Sequence, residues 1–186
     1  MSDEGTHLST GWYALAVRPR FDKAVARTLQ SKGYETVLPL YRKRLQEGAR
    51  LRESELPLFP GYVCCRFDVR DRLPILTTPG VDRIFGPGNI PVPLSDVEVA
   101  SLQAVIRAGL PLQPFPFVEA GQRVRIEGGA LNGVEGIVMS LKETLRLVLS
   151  LTPLQRSVLL EVARDQVTLS SCAGAAPLRM AQGDVE

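Results

Sequence analysis

Apolar residues change their spacing along the chain, and each change marks an element. WYALAVR (12–18) is a short apolar and aromatic run that predicts a first strand. In FDKAVARTLQSKG (21–33), Phe21, Ala24, Val25 and Leu29 fall on one face of an amphipathic helix that Gly33 closes. YETVLPLY (34–41) predicts a second strand. RKRLQEGARLRESEL (42–56) then breaks the pattern with a charge-rich, glycine-containing loop or hairpin. LFPGYVCCRF (58–67) turns a Pro-Gly corner into a third strand, DRLPILTTPG (71–80) predicts a short helix, and VDRIF (81–85) a short strand. PLSDVEVASLQAVIRAG (93–109) has the signs of a helix: Ser95 and Glu98 at capping-box spacing, a stripe of Val99, Leu102 and Ile106, and a closing Gly109. Alternating strands and helices of this kind predict a sheet covered by helices.

Beyond residue 109 the rhythm shortens. LPLQPFP (110–116) is spaced by prolines, each of which removes a backbone donor, so a domain boundary is expected there. The stretch from Gln122 to about residue 169 gives short strands broken by Gly, Asn-Gly and Pro, the pattern of a small barrel. Gly129, Asn132, Gly133 and Gly136 serve as turn devices there. Residues 144–162 allow two readings. Leu147, Leu149 and Leu151 alternate onto one strand face, with Val158, Leu160 and Val162 on another. Yet Leu147, Leu151, Leu154, Val158 and Val162 also form a helical stripe, which admits a second, helical state docked on Phe59 and Tyr62. Pro153 and the glycines favour the strands. The tail, 170–186, has no periodicity and is expected to be disordered, and 1–10 is expected to be a flexible polar leader.

Composition changes the picture little. With 45% hydrophobic and 23% charged residues, 186 residues bury roughly two-thirds of their unfolded surface and need no covalent staples. A formal charge of +2 is too small to make the whole molecule a phosphate ligand, so any nucleic-acid contact must be local. No apolar run approaches the roughly 18 residues of a membrane span, and MSDEGTHLST lacks the parts of a signal peptide, so a cytoplasmic protein is expected.

Three cysteines do not make a disulfide framework. Cys64 and Cys65 are adjacent in a strand, so their thiols face apart. The remaining metal-ligand types, Cys172 and His7, lie far off in terminal segments. The cysteines therefore read as small apolar filler, with no metal and no cofactor expected. No Ser-His-Asp set or P-loop is present, and GPGNIP (86–91) is a turn and not a dinucleotide fingerprint, so an enzyme is not expected.

The order of several motifs resembles the NusG family of transcription elongation factors. They are WYAL (12–15), Gly33 with LP (38–39), PLFPGYV (57–63), TPGV (78–81), IPVPLSDVEVASL (90–102) and GQRVRIEGGALNGVEGIV (121–138). The resemblance implies an α+β N-terminal domain over 11–109, an antiparallel sheet flanked by helices. A linker at 110–116 and a small all-β, SH3-like KOW barrel over 117–169 would follow. It also implies binding of RNA polymerase next to the non-template DNA strand, with the clamp helices of the largest subunit received in an apolar pocket.

The FPGY match carries that docking role onto Phe59 and Tyr62, for which large aromatic area suits the task. The competing reading is that both rings fill the domain's own core. Thr77 and Thr78 lie where specialised members of the family touch another polymerase element. Arg18, Arg20 and Lys23 are candidates for nucleic-acid contact, or else a solvated helix face. The cluster of Arg42, Lys43, Arg44, Arg50 and Arg52 is interleaved with Glu47, Glu53 and Glu55, and reads as a mobile charged loop rather than a site. Leu131 stands where general NusG proteins have a phenylalanine that contacts a ribosomal protein or the termination factor Rho.

ELPLFPGYV, the RPR before the first helix and LQRSVLLEV (154–162) resemble the RfaH, UpxY and LoaP type of paralogue. That type implies processive antitermination of one long operon, often for polysaccharide synthesis. A general housekeeping NusG is the alternative. A KOW-type ribosome- or RNA-binding module is the alternative of another class.

Overall fold

The computed structural model describes residues 10–47, 50–117, 122–141, 144–163 and 168–171. Strand β1 (Thr10–Val17) is the centre of an antiparallel sheet. It pairs with β5 (Tyr62–Asp68) on one side, and with β6 (Val81–Ile84) and β7 (Pro93–Leu94) on the other. β2 (Glu35–Val37) pairs with β5 at the far edge. Alternation sends Tyr13, Leu15, Val63, Cys65 and Phe67 into one apolar cluster, and Trp12, Ala14 and Cys64 into another.

Helices α1 (Asp22–Ser31) and α2 (Leu73–Leu76) close the first cluster with Val25, Leu29 and Ile75. Helix α3 (Asp96–Arg107) closes the second with Val99, Leu102 and Val105. That second cluster does not stop at α3. It continues into a six-stranded antiparallel sheet formed by β8 (Leu112–Phe115), β9 (Gln122–Glu127), β10 (Glu135–Leu141), β11 (Thr144–Leu151), β12 (Arg156–Ala163) and β13 (Thr168–Ser171). The strand order there is β13-β9-β10-β11-β12-β8. A separate two-stranded hairpin, β3 (Leu40–Glu47) with β4 (Arg50–Pro57), projects from the N-terminal half.

Of the two readings of the charged 42–56 stretch, the hairpin is the one formed: β3 and β4 ladder with Arg42 opposite Glu55 and Arg44 opposite Glu53, so opposite charges are cross-strand neighbours. Other expectations change. The buried face of α1 is Asp22, Val25, Ala26 and Leu29, while Phe21 is 41% exposed at the N-cap. On α3, Ile106 is exposed and Ser101 is buried in its place, because Ser101 faces the C-terminal sheet. The capping box is not formed. Ser95 makes no side-chain cap, and Glu98 bonds elsewhere.

Leu112–Phe115, read as linker, is an edge strand paired with β12, where Pro114 is tolerated because the missing donor costs least at an edge. Residues 170 and 171, expected in the disordered tail, pair with β9. The expected tail over 172–186 and leader over 1–9, with Cys172 and His7, lie outside the described residues. Residues 144–151 and 156–163 are strands, in continuous register from Thr144↔Ala163 to Leu151↔Arg156, joined by a 3-10 turn at Thr152–Leu154 and by Gln155 in the left-handed position at φ +50°. Leu147, Leu149, Leu151, Val158, Leu160 and Val162 all enter one cluster. The strand pairing therefore satisfies the residues that would form the helical stripe.

Candidate functional site

Three turns meet at one end of the N-terminal sheet. The Val17 amide donates to the Gly61 carbonyl at 2.9 Å, and the Arg18 amide donates to the Gly80 carbonyl at 2.9 Å. The 58–62 corner, the Arg18–Phe21 turn and the 77–80 turn are thereby tied together. Gly61 has φ +82°, in the left-handed region that penalises a side chain. Gly80, at φ +95°, leaves no room either: a Cβ there would stand 2.5 Å from the Phe21 ring.

Asp22 fixes the corner, and sequence reading missed it. Its side chain is buried, and Oδ1 accepts from the Gly61 amide at 2.8 Å. The available signal was an acidic residue in the first turn of an amphipathic helix, which ordinarily marks a solvated helix start.

Phe59 is 1% exposed and belongs to the cluster that runs through α3 into the C-terminal sheet. An open aromatic socket containing both rings is therefore not what this conformation presents; the apolar cluster seals Phe59. Tyr62 differs. It is half-buried at the margin of the same cluster, with its ring edge-on to Phe85 at 5.9 Å between centroids.

Thr77 is exposed at the end of α2 and donates to the Leu73 carbonyl at 2.9 Å. Thr78 is buried: it donates to the Pro74 carbonyl and accepts from Lys32 Nζ at 2.8 Å, which makes it a peg of the fold. Arg18 and Arg20 are exposed on the turn beside Gly80, Arg20 at φ +69°. Lys23 is not grouped with them. Its ammonium lies 3.6 Å from Glu55 on the hairpin.

Leu131 is 5% exposed. It lines a hollow of about 220 Å³ shared with Ala108 and Leu110 from the end of the α3 segment and with Val162. Polar bonds reinforce this junction: the Glu98 carboxylate accepts from the Thr152 amide at 3.2 Å and its hydroxyl at 2.5 Å, and Ser101 Oγ accepts from the Glu135 amide at 3.0 Å.

Cys64 and Cys65 are buried on opposite faces of β5. Burial pushes both thiols up to about 12, with added repulsion from Cys65 at Cys64, so neither is a thiolate nucleophile near neutrality. Among the described residues no group of three or more His, Cys, Asp or Glu is placed to hold a metal ion. Among them, too, no helix is long and apolar enough to cross a membrane.

This arrangement, a helix-covered antiparallel sheet followed by an all-β sheet, defines a class that comparison identifies. A sequence model described as "Transcription termination factor nusG" matches residues 10–103, half of the chain. The chain belongs to the NusG family, whose members are transcription termination and antitermination factors and not enzymes.

The chain is 26% identical over 154 residues to the transcription termination/antitermination protein NusG of Borreliella burgdorferi, covering 72% of this chain and 84% of the relative. It is 24% identical over 172 residues to the protein of the same name from Lactococcus lactis, covering 84% and 91%. A solved structure, "Domain interaction in Thermotoga maritima NusG", shares the fold at 19% identity and a TM-score of 0.50, covering 86% of this chain and 97% of its own.

Proposed function

We propose that the chain is a transcription elongation factor that binds RNA polymerase through its N-terminal half and promotes processive antitermination, serving one long operon of the polysaccharide-synthesis type. The observation that carries the docking part is the 58–62 corner. Asp22 and Val17 hold it, and it offers the half-buried Tyr62 ring at the margin of the α3-side cluster, while the exposed Thr77, Arg18 and Arg20 stand on the turns tied to it through Val17–Gly61 and Arg18–Gly80. Tyr62 and Thr77 meet the polymerase in this reading, with the clamp helices of its largest subunit as the partner of Tyr62. Thr78 supports its neighbour from inside, and Arg18 and Arg20 meet the non-template strand, with Lys23 held back on Glu55.

Phe59 and Leu131 are buried in one continuous cluster, so a partner that takes either residue must first part α3 from the C-terminal sheet. The order of strands β9 to β13 suits a small SH3-like KOW barrel. In this reading a ribosomal protein or Rho engages Leu131 only after that parting.

Sequencing of nascent RNA crosslinked to the chain in its own cell tests the operon-specific reading. Signal confined to one long transcription unit is expected; signal spread over all genes would replace it with the general housekeeping role. Recovery of ribosomal RNA without RNA polymerase would replace it with a ribosome-associated module.

A further inference from the structure

A second surface lies away from the corner, around the root of the β3–β4 hairpin. One hollow of about 400 Å³ lies between α1, β2 and α3, and another of about 890 Å³ lies between β3 and the 109–114 segment. Leu38, Leu40, Glu55 and Ile106 line both, so the two form one trough. Its charge is one-sided. Lys23, Arg27, Arg42, Lys43 and Arg107 face a single carboxylate, Glu55, five cations against one. Glu55 is already engaged by Lys23 at 3.6 Å and Arg42 at 3.9 Å. Arg27, Lys43 and Arg107 make no ion pair among the described residues and are exposed.

Between the cations the trough is aliphatic, with Ala26, Val37, Leu38, Leu40, Ile106 and Leu110 along it. Strand edges flank it. Among the described residues β2 pairs only with β5, β3 only with β4, and β8 only with β12, and all three strands contribute to the lining. An unpaired edge beside an apolar groove is the arrangement that accepts an added strand: main-chain bonds supply affinity and alternate side chains supply specificity.

We propose that this trough is the docking site for an extended acidic segment of another protein, whose carboxylates meet Arg27, Lys43 and Arg107 while its apolar side chains lie on the aliphatic floor. A single strand of nucleic acid fits less well, because bases need stacking platforms and Tyr41 is the one aromatic in the lining. None of the residues that form the corner lines the trough, and Lys23, which does, is held on Glu55, so the proposal stands apart from the polymerase reading.

The test is fluorescence anisotropy on the full chain with three labelled probes. They are a peptide of alternating glutamate and valine, its lysine counterpart and an oligothymidylate, each about ten units long to span the trough as an extended strand. Saturable binding of the glutamate peptide is expected, with none for the lysine peptide. Binding should weaken about tenfold or more in the double variant Arg27→Glu, Arg107→Glu, since like charges then oppose each other. Both positions are exposed, and a thermal melt checks that the variant folds. Absence of saturable glutamate-peptide binding would overturn the proposal, as would binding indifferent to the double variant. So would oligothymidylate binding as tightly as the peptide and being lost in the same variant.

Discussion

The two faces of the N-terminal sheet have the same backbone and different owners. On one, Leu15, Val63, Cys65 and Phe67 are closed by Val25, Leu29 and Ile75 from helices that follow within the same half. On the other, Trp12, Ala14, Cys64 and Phe59 share a cluster with α3 and, through it, with Leu131, Leu147 and Leu160 of the C-terminal sheet. The first face is a foundation. The second is a seam, and its burial depends on how the two halves sit. Aromatic area placed at a seam can serve the fold in one arrangement and a partner in another, which a self-contained core cannot do.

That contrast can be broken at several points. Phe59→Ala should cost the largest amount, about 3–5 kcal/mol in chemical denaturation, since it empties a fully buried aromatic site. Leu29→Ala on the foundation face should cost a comparable ~2–5 kcal/mol. Amide exchange separates the two: Phe59→Ala should loosen α3 and β11 preferentially, and Leu29→Ala should not. Equal loosening by both variants would make the seam an ordinary core.

Glu98→Ala should cost less, about 1 kcal/mol, because it removes a charge-assisted bond at the edge of the seam. The Thr152 amide should exchange faster while α1 amides stay unchanged.

The smallest effect concerns the paired thiols, one on each face. Their ordinary value of 9.0 is raised to about 12 in the folded chain, so folding holds protons that the unfolded chain releases. Their contribution is complete below pH 9 and is lost as pH rises toward 12. The double variant Cys64→Ala, Cys65→Ala should show a shallower loss of stability over that range in urea titrations. An identical slope would contradict the burial of the thiols.

Much of the fold was legible because period carries it. The alternation along β5 correctly separated Cys64 from Cys65, and the strands at 144–162 followed from Pro153 and the flanking turns. The seam was less legible. Ser95 and Glu98 have the local spacing of a capping box, yet Glu98 finds Thr152, 54 residues away, and no local pattern encodes that choice. Ser101 and Ile106 exchange burial for the same reason: the covering surface comes from the other half of the chain. At the site, the FPGY motif drew attention to both aromatics but could not divide them. Phe59 goes inside and Tyr62 stays at the margin, with the Gly61 amide between them held by Asp22, hidden at a helix start.

Titration of purified RNA polymerase into the full chain and into Tyr62→Ala is the most direct test of the docking account. The variant's fold is first confirmed by an unchanged exchange pattern in α1 and β1. Affinity weaker by about 1–3 kcal/mol is expected, the loss of a partly exposed aromatic anchor. Unchanged affinity in the folded variant would contradict the account and return Tyr62 to the protein's own core.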